Sequence, residues 1–203
     1  RTELGRAITA AESEAGDGRL ALTRWRAGKT EEVVVKLPVL GTFSDTAPFD
    51  CQKSKRVFER GIKALAAKVA DPEYAKRTDG IPRSLNALAL LASGDVALLP
   101  LVKQEAEWAA DFEKDSMQTW YYGYVMMLLA EYITATGDQS VLPGLRRLAM
   151  EAAKGQSAVG SWGHGFANPD GRLKGYGMMN APGLPLTIGM VLARDAGVKD
   201  AEV

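Results

Sequence analysis

Two eight-residue segments, SGDVALLP at Ser93–Pro100 and TGDQSVLP at Thr136–Pro143, repeat at an offset of 43 residues. A period of that length holding two helical patterns marks stacked helical hairpins, because one hairpin cannot bury its apolar face alone. The matched residues have matched tasks. Gly94 and Gly137 stand where a helix ends in a left-handed residue. Asp95 and Asp138 stand as N-caps for the next helix. Leu99 with Leu142, and Pro100 with Pro143, fall in that helix's opening turns. Gly197, 60 residues after Gly137, predicts a third helix stop. Arrays of this kind run open as solenoids or close into an α/α ring.

Apolar spacing extends the helical reading over residues 54–203. Val57, Phe58, Ile62, Leu65 and Val69 form a stripe from Ser54 that Asp71-Pro72 ends. Pro82 suits a first helical turn leading into Ser84–Ala92. Further helices are predicted over Val96–Phe112, Met117–Ala135, Gln139–Lys154 and Leu184–Ala196. The basic run Lys53, Lys55, Arg56 and Arg60 reads as a solvated helix face. Residues 42–53 read as a linker, and residues 1–41 differ from the rest. There Thr2–Ala15 is an amphipathic helix ended by Gly16-Asp17-Gly18. Arg19–Arg26 and the β-branched run Glu31–Leu37 predict a hairpin about Ala27-Gly28-Lys29. The fold class is therefore mainly α, a toroid or helical-hairpin array, with a small N-terminal α+β segment.

The chain of 203 residues carries 25 basic and 25 acidic side chains. Without a basic surplus it lacks the electrostatic footprint of a nucleic-acid binder. No apolar run reaches the roughly 18–20 residues of a membrane span. One Cys cannot form an intrachain disulfide, and one Cys with one His cannot build a Cys/His zinc site. We expect no metal and no cofactor. With neither an initiator Met nor a signal peptide, the sequence reads as a trimmed piece.

The segments RWRAGK and EEVVVKLP after a short helix resemble the C-terminal half of a bacterial PDZ domain. The stretches DTAPFDCQKS, TWYYGYVMMLLAEYITATGD, GSWGHGF and GYGMMNAPGLPLTIG resemble a bacterial family in which a PDZ-like domain precedes an α/α toroid akin to terpenoid-cyclase and prenyltransferase toroids. The resemblance implies half of a PDZ-like domain over 1–41 and part of a toroid over 54–203. It implies capture of a protein C-terminus or extended peptide, a small molecule such as a saccharide in the toroid, and a periplasmic or secreted location. The Asp-x-Asp-Asp motif of protonating terpene cyclases is missing, and Cys51 and His164 lie too far apart in sequence to suggest a prenyltransferase zinc site.

Chemistry is expected in Gly155–Gly183, where the third repeat is 17 residues longer than the second and eight of 29 residues are Gly. Long loops mixing Gly with aromatics are common binding sites. This one holds the single His of the chain, His164, with Tyr176 and Asn180 as candidate catalytic partners. Trp162, Phe166 and Asp170 are candidate ligand contacts, and flat rings suit sugar faces. Tyr121 and Tyr122, opening the long apolar helix, are candidates for a cavity wall. Glu131 lies among Leu128, Leu129 and Ile133, where burial would demand a partner or a raised pKa, or at that helix's exposed edge. Gly-x-Ser-x-Gly is missing, so acyl transfer has no support. Cys51 precedes a helix, a position that lowers a thiol pKa, and is expected to pack or cap. The expected function is an interaction or ligand-binding protein; the alternative is a carbohydrate-active enzyme of hydrolase, lyase or epimerase type.

Overall fold

A computed structural model describes residues 2–203. The chain is mainly helical with one small antiparallel sheet, and its contacts divide it into two units, Arg1–Lys63 and Ala64–Val203.

In the first unit, α1 (Thr2–Glu12) packs against β1 (Arg19–Arg26), which pairs with β2 (Lys29–Lys36) from Arg19↔Lys36 to Arg26↔Lys29. Ala27 and Gly28 both have positive φ, the mirror-image turn whose twist matches the strands. Arg24 donates to Glu31 across the pair at 2.6 and 2.9 Å. Helix α1 stops three residues short of the expected Ala15. The Ser13 hydroxyl bonds Ala10 O at 2.6 Å, and the Gly18 N–H takes Ala11 O at 2.7 Å, closing the helix end early. Gly18, at φ +69°, is obligatory, because a Cβ there would lie 2.1 Å from Leu37 O. After an irregular stretch, α2 (Gln52–Val69) starts two residues before the expected Ser54. Its buried Lys53 donates to Glu12 at 2.6 Å.

The second unit contains the short α3 (Tyr74–Arg77), then α4 (Gly80–Ala92), α5 (Leu99–Ala110), α6 (Gln118–Thr136), α7 (Leu142–Lys154) and α8 (Asn180–Asp195). Helix α6 packs against both α4 and α8, while α5 and α7 touch each other behind them. The result is two layers of helical hairpins. The repeat seen in the sequence is a repeat in space. Gly94 and Gly137 have φ of +70° and +74°. Asp95 accepts from the Ala97 N–H at 3.0 Å, and Asp138 from the Ser140 N–H at 2.9 Å. Each cap opens a single 3-10 turn, Val96–Leu98 or Gln139–Val141, before the α-helix proper. Pro100 and Pro143 sit in the first α turn, where no N–H is needed. Ala87 and Ala130, Val102 and Leu145, Ala106 and Ala149, and Ala109 and Ala152 are equivalent pairs, all fully buried.

One equivalence is broken. Arg83 on α4 grips Glu105 on α5 through two buried hydrogen bonds of 2.7 and 2.9 Å, its guanidinium 3.7 Å from the Trp108 ring centre. At the same repeat positions stand Met126 and Leu148, both fully buried. Helices α6 and α8 approach closely at Gly123, against the main chain of Pro185 and Leu186. Helix α8 begins four residues before the expected Leu184. Pro182 falls within the first turn, whose N–H groups need no helical acceptor, so it does not bar an early start.

Candidate functional site

The segment between α7 and α8 is irregular but tightly pinned. The Ala167 N–H bonds Gly155 O at 2.9 Å, Ala158 N–H bonds Gly171 O at 3.0 Å, and Met179 N–H bonds Trp162 O at 2.9 Å. Gly163 lets two arms of the loop touch, since a Cβ there would stand 2.8 Å from Gly177 O. Thr119, fully buried in the first turn of α6, aims its hydroxyl at Gly163 O and His164 O, 2.8 and 2.6 Å away. This clamp fixes the His164 backbone on the N-terminal end of α6.

The ring of His164 is fixed as well. The Trp120 indole N–H donates to its Nδ1 at 2.9 Å, and the two rings lie 5.7 Å apart at 28°. In the neutral ring this places the proton on Nε2, which remains as a hydrogen-bond donor. Tyr176 stands 5.8 Å from His164 on another side, tilted by 58° and 88% exposed. Trp120, His164 and Tyr176 thus form an aromatic step.

Trp162 and Asn180 meet in a separate pocket of about 400 Å³, lined also by Ser161, Met179, Leu184 and Thr187. The Trp162 indole N–H is taken by Ala152 O at 2.9 Å, which fastens the loop to α7. Phe166 and Tyr122 pack edge to face at 5.4 Å. Phe166 also covers Gly155, where a Cβ would lie 2.3 Å from its ring. The buried Tyr122 hydroxyl donates to Glu151 at 2.7 Å, and burial together with that carboxylate pushes its pKa up. These two rings join the loop to the helices.

Tyr121 points elsewhere. Its hydroxyl donates to Asp79, the N-cap of α4, at 2.8 Å, and Lys114 Nζ lies 4.1 Å from its ring centre. The N–H of Gly80 and this hydroxyl hold the Asp79 carboxyl below its usual range. Asp170 is exposed and accepts from Arg172 N–H at 3.1 Å in a local turn. Glu131 takes the exposed alternative, edging a groove with Leu88, Leu91, Met127, Ile188 and Leu192. The expected residues therefore divide into His164 with Tyr176, Trp162 with Asn180, Tyr122 with Phe166, and three that stand apart.

Sequence reasoning gave Trp120 no role beyond its aromatic run and passed over Thr119 and Asp79. For Asp79 a signal existed, an acidic residue just before Gly80-Ile81-Pro82, the form of a capped helix start. At the head of α2, the buried Cys51 Sγ accepts from Ser44 N–H at 3.4 Å. Hydrogen bonds from Ser54 and from Ser44 draw its thiol down to about 6. Among the described residues no cluster of three His, Cys, Asp or Glu is placed to hold a metal ion, and no helix is long and apolar enough to cross a membrane.

Residues 54–203 match a family model described as a domain of unknown function, DUF6288. No curated protein and no solved structure matches the chain.

Proposed function

The chain belongs to the DUF6288 family, and because that membership assigns no reaction we propose from the loop geometry that it is a ligand-binding protein for saccharides or similar polyhydroxylated molecules. One observation carries this reading. The aromatic step of Trp120, His164 and Tyr176 offers flat faces on a backbone pinned by Thr119. Sugar rings stack on such faces with little ordering cost, because the rings are already held. The His164 Nε2–H supplies a donor beside the exposed Tyr176 ring. Binding is favoured over acid–base catalysis because the bond from Trp120 occupies Nδ1, and no carboxylate bonds the ring among the described residues.

The wider reading has its own support. Hairpins repeating at 43 residues suit an α/α toroid, with this loop at one end of the helical layers. Helix α1 on an antiparallel hairpin suits half of a PDZ-like, peptide-binding module, and with it a periplasmic or secreted location.

The test is a thermal-shift screen against neutral and acidic oligosaccharides, with C-terminal peptides in parallel. A ligand at about 100 times its Kd adds about 2.7 kcal/mol, a shift of several degrees in a chain of this size. We expect a saccharide to stabilise the protein, and Tyr176→Ala, a change at an exposed ring, to weaken it about tenfold. Saccharides without effect, or a shift untouched by Tyr176→Ala and His164→Ala, would overturn the reading. Turnover of a bound saccharide, lost in His164→Ala, would establish the enzymatic alternative instead.

A further inference from the structure

His164 is the single imidazole of the chain, and its ring is held by a side-chain bond that depends on its charge. The Trp120 indole N–H donates to Nδ1 at 2.9 Å with the ring planes 28° apart, so the two rings meet edge to edge. An indole N–H can only donate, so Nδ1 must accept. A neutral imidazole with its proton on Nε2 does so. An imidazolium carries a proton on both nitrogens and has no free lone pair. Protonation therefore sets two N–H groups against each other where one bond stood. It also takes the acceptor away from a part-buried indole N–H.

No neighbouring charge offsets this loss. From α6 the ring meets Thr119 and Trp120, neither ionisable, and from the loop it meets Tyr176. Tyrosine phenols are uncharged where imidazoles titrate. Among the described residues His164 forms no ion pair, and neither do Glu113 and Asp115 ahead of α6, Lys154 at the end of α7, or Lys174 in the loop. Lys114 lies over Tyr121, Arg172 stands 3.7 Å from Asp170, and Glu151 is taken by Tyr122 and Arg147. Helix α8 carries no charge before Arg194. The backbone around the ring is held differently. Thr119 to Gly163 O and His164 O, Met179 N–H to Trp162 O, and Ala167 N–H to Gly155 O are all bonds between neutral groups.

We infer that His164 is a proton-operated latch: neutral, it is locked edge to edge with Trp120, and protonated, its ring is released while the loop backbone stays in place. The sign follows from the donor. The locked arrangement is complete where imidazoles are neutral and is lost as pH falls through their range. Release splits the flat surface of the aromatic step, so saccharide binding weakens in acid, a consequence that rests on the proposed function.

The test is proton–nitrogen correlation spectroscopy of the whole chain between about pH 7.5 and 5, the interval in which imidazoles titrate. Four tryptophans give four indole signals, and Trp120→Phe identifies the one at issue. His164 gives one imidazole signal. A local probe is needed because the Cys51 thiol, in the other unit, is drawn down to about 6, within the same interval. We expect the Trp120 indole signal to move upfield as His164 takes its proton, at a shared midpoint. Its exchange with water should become about tenfold faster in acid, the scale of one hydrogen bond. The Trp25 and Trp108 signals and the far-ultraviolet circular dichroism should hold. His164→Phe, which has no acceptor, should keep the Trp120 signal at its acid position throughout. The latch is overturned by a Trp120 signal that stays still while His164 titrates, or that still shifts with pH in His164→Phe. It is overturned equally by an imidazole that remains neutral to the acid end, or by four indole signals that move together as in unfolding. None of these readings needs a saccharide. A protein that shows the latch but binds no saccharide at neutral pH overturns the proposed function alone, and one that binds a saccharide with Trp120 indifferent to His164 overturns the latch alone.

Discussion

Replacing Gly123 by Ala should destabilise the protein, although Ala in mid-helix ordinarily gains about 1 kcal/mol over Gly. The added Cβ would stand 2.5 Å from the Pro185 carbonyl carbon, 2.7 Å from Leu186 N and 2.7 Å from Pro185 Cβ. Carbon atoms rest about 3.5–4.0 Å apart, so α8 must recede by about 1 Å. Two of the three opposing atoms are main chain and cannot rotate away. Overpacking of this kind costs about 1–3 kcal/mol or more, and retreat of α8 also loosens Met126, Leu186 and Met190, which are buried beside it. With main-chain atoms opposing the Cβ the cost lies at the upper end of that range, and after the propensity gain the net loss is about 2 kcal/mol, a fall in Tm of roughly 4–8 °C for a chain of this size. Gly61→Ala in α2 is the control, because nothing lies within 4 Å of its Cβ position, and it should gain about 0.5–1 kcal/mol. Urea unfolding followed by circular dichroism measures both variants. A Gly123→Ala protein as stable as the parent would show that α6 and α8 are not in main-chain contact at Pro185 and Leu186.

Three further outcomes follow from the same geometry. Arg83→Met alone strands Glu105 and should cost about 3–5 kcal/mol, whereas Arg83→Met/Glu105→Leu, copying Met126 and Leu148, should lie within about 1 kcal/mol of the parent or above it; additive losses in urea melts would refute this. Asp95→Ala should cost about 1 kcal/mol as a lost cap, and Asp138→Ala more, because Asp138 also accepts from the Tyr132 hydroxyl at 2.8 Å and from Lys103 at 3.1 Å. Hydrogen bonds from Ser140 first, then from Tyr132 and Lys103, hold the Asp138 carboxyl below its ordinary range, so its contribution is complete above about pH 4 and fades on acidification; equal melting of the two variants at pH 7 would contradict the assignment. Alkylation of Cys51 by iodoacetamide should rise with pH through a midpoint near 6, since the hydrogen bonds from Ser54 and Ser44 favour the thiolate, and Ser54→Ala should move the midpoint upward; an inflection above 8 in the parent would refute that account.

The parts of this fold that could be read from sequence are those whose chemistry is local. Gly94-Asp95 and Gly137-Asp138 state a helix stop and a helix start within two residues, so the hairpin period is visible without any knowledge of packing. The insertion at 155–183 shows itself by length and glycine content. What stayed hidden depends on pairs remote in sequence. Trp120 and His164 are 44 residues apart, and no spacing rule joins a helix start to a loop. Arg83 and Glu105 look like ordinary solvated charges until α4 and α5 bury them. Helix α1 runs on to Ala15 by its apolar stripe, yet a serine hydroxyl and a glycine N–H end it at Glu12. At Glu131 the sequence leaves burial and an exposed edge both open, because on a helix adjacent residues face different directions and apolar neighbours do not fix where a side chain points.

Two hairpins this alike in one chain can trade partners while the chain is still finding its shape. Val102 and Leu145, Ala106 and Ala149, and Ala109 and Ala152 would fill one another's places with little loss, so apolar matching alone does not tell α4 which second helix is its own. Arg83 and Glu105 do. An exchange that seated α4 on α7 would leave Arg83 facing Leu148, and α6 on α5 would leave Glu105 facing Met126, each a buried charge without a counterpart. The buried charged pair that the second copy replaces with Met126 and Leu148 therefore works as an address. It makes the correct pairing of neighbours with matching apolar positions the one that leaves neither Arg83 nor Glu105 stranded.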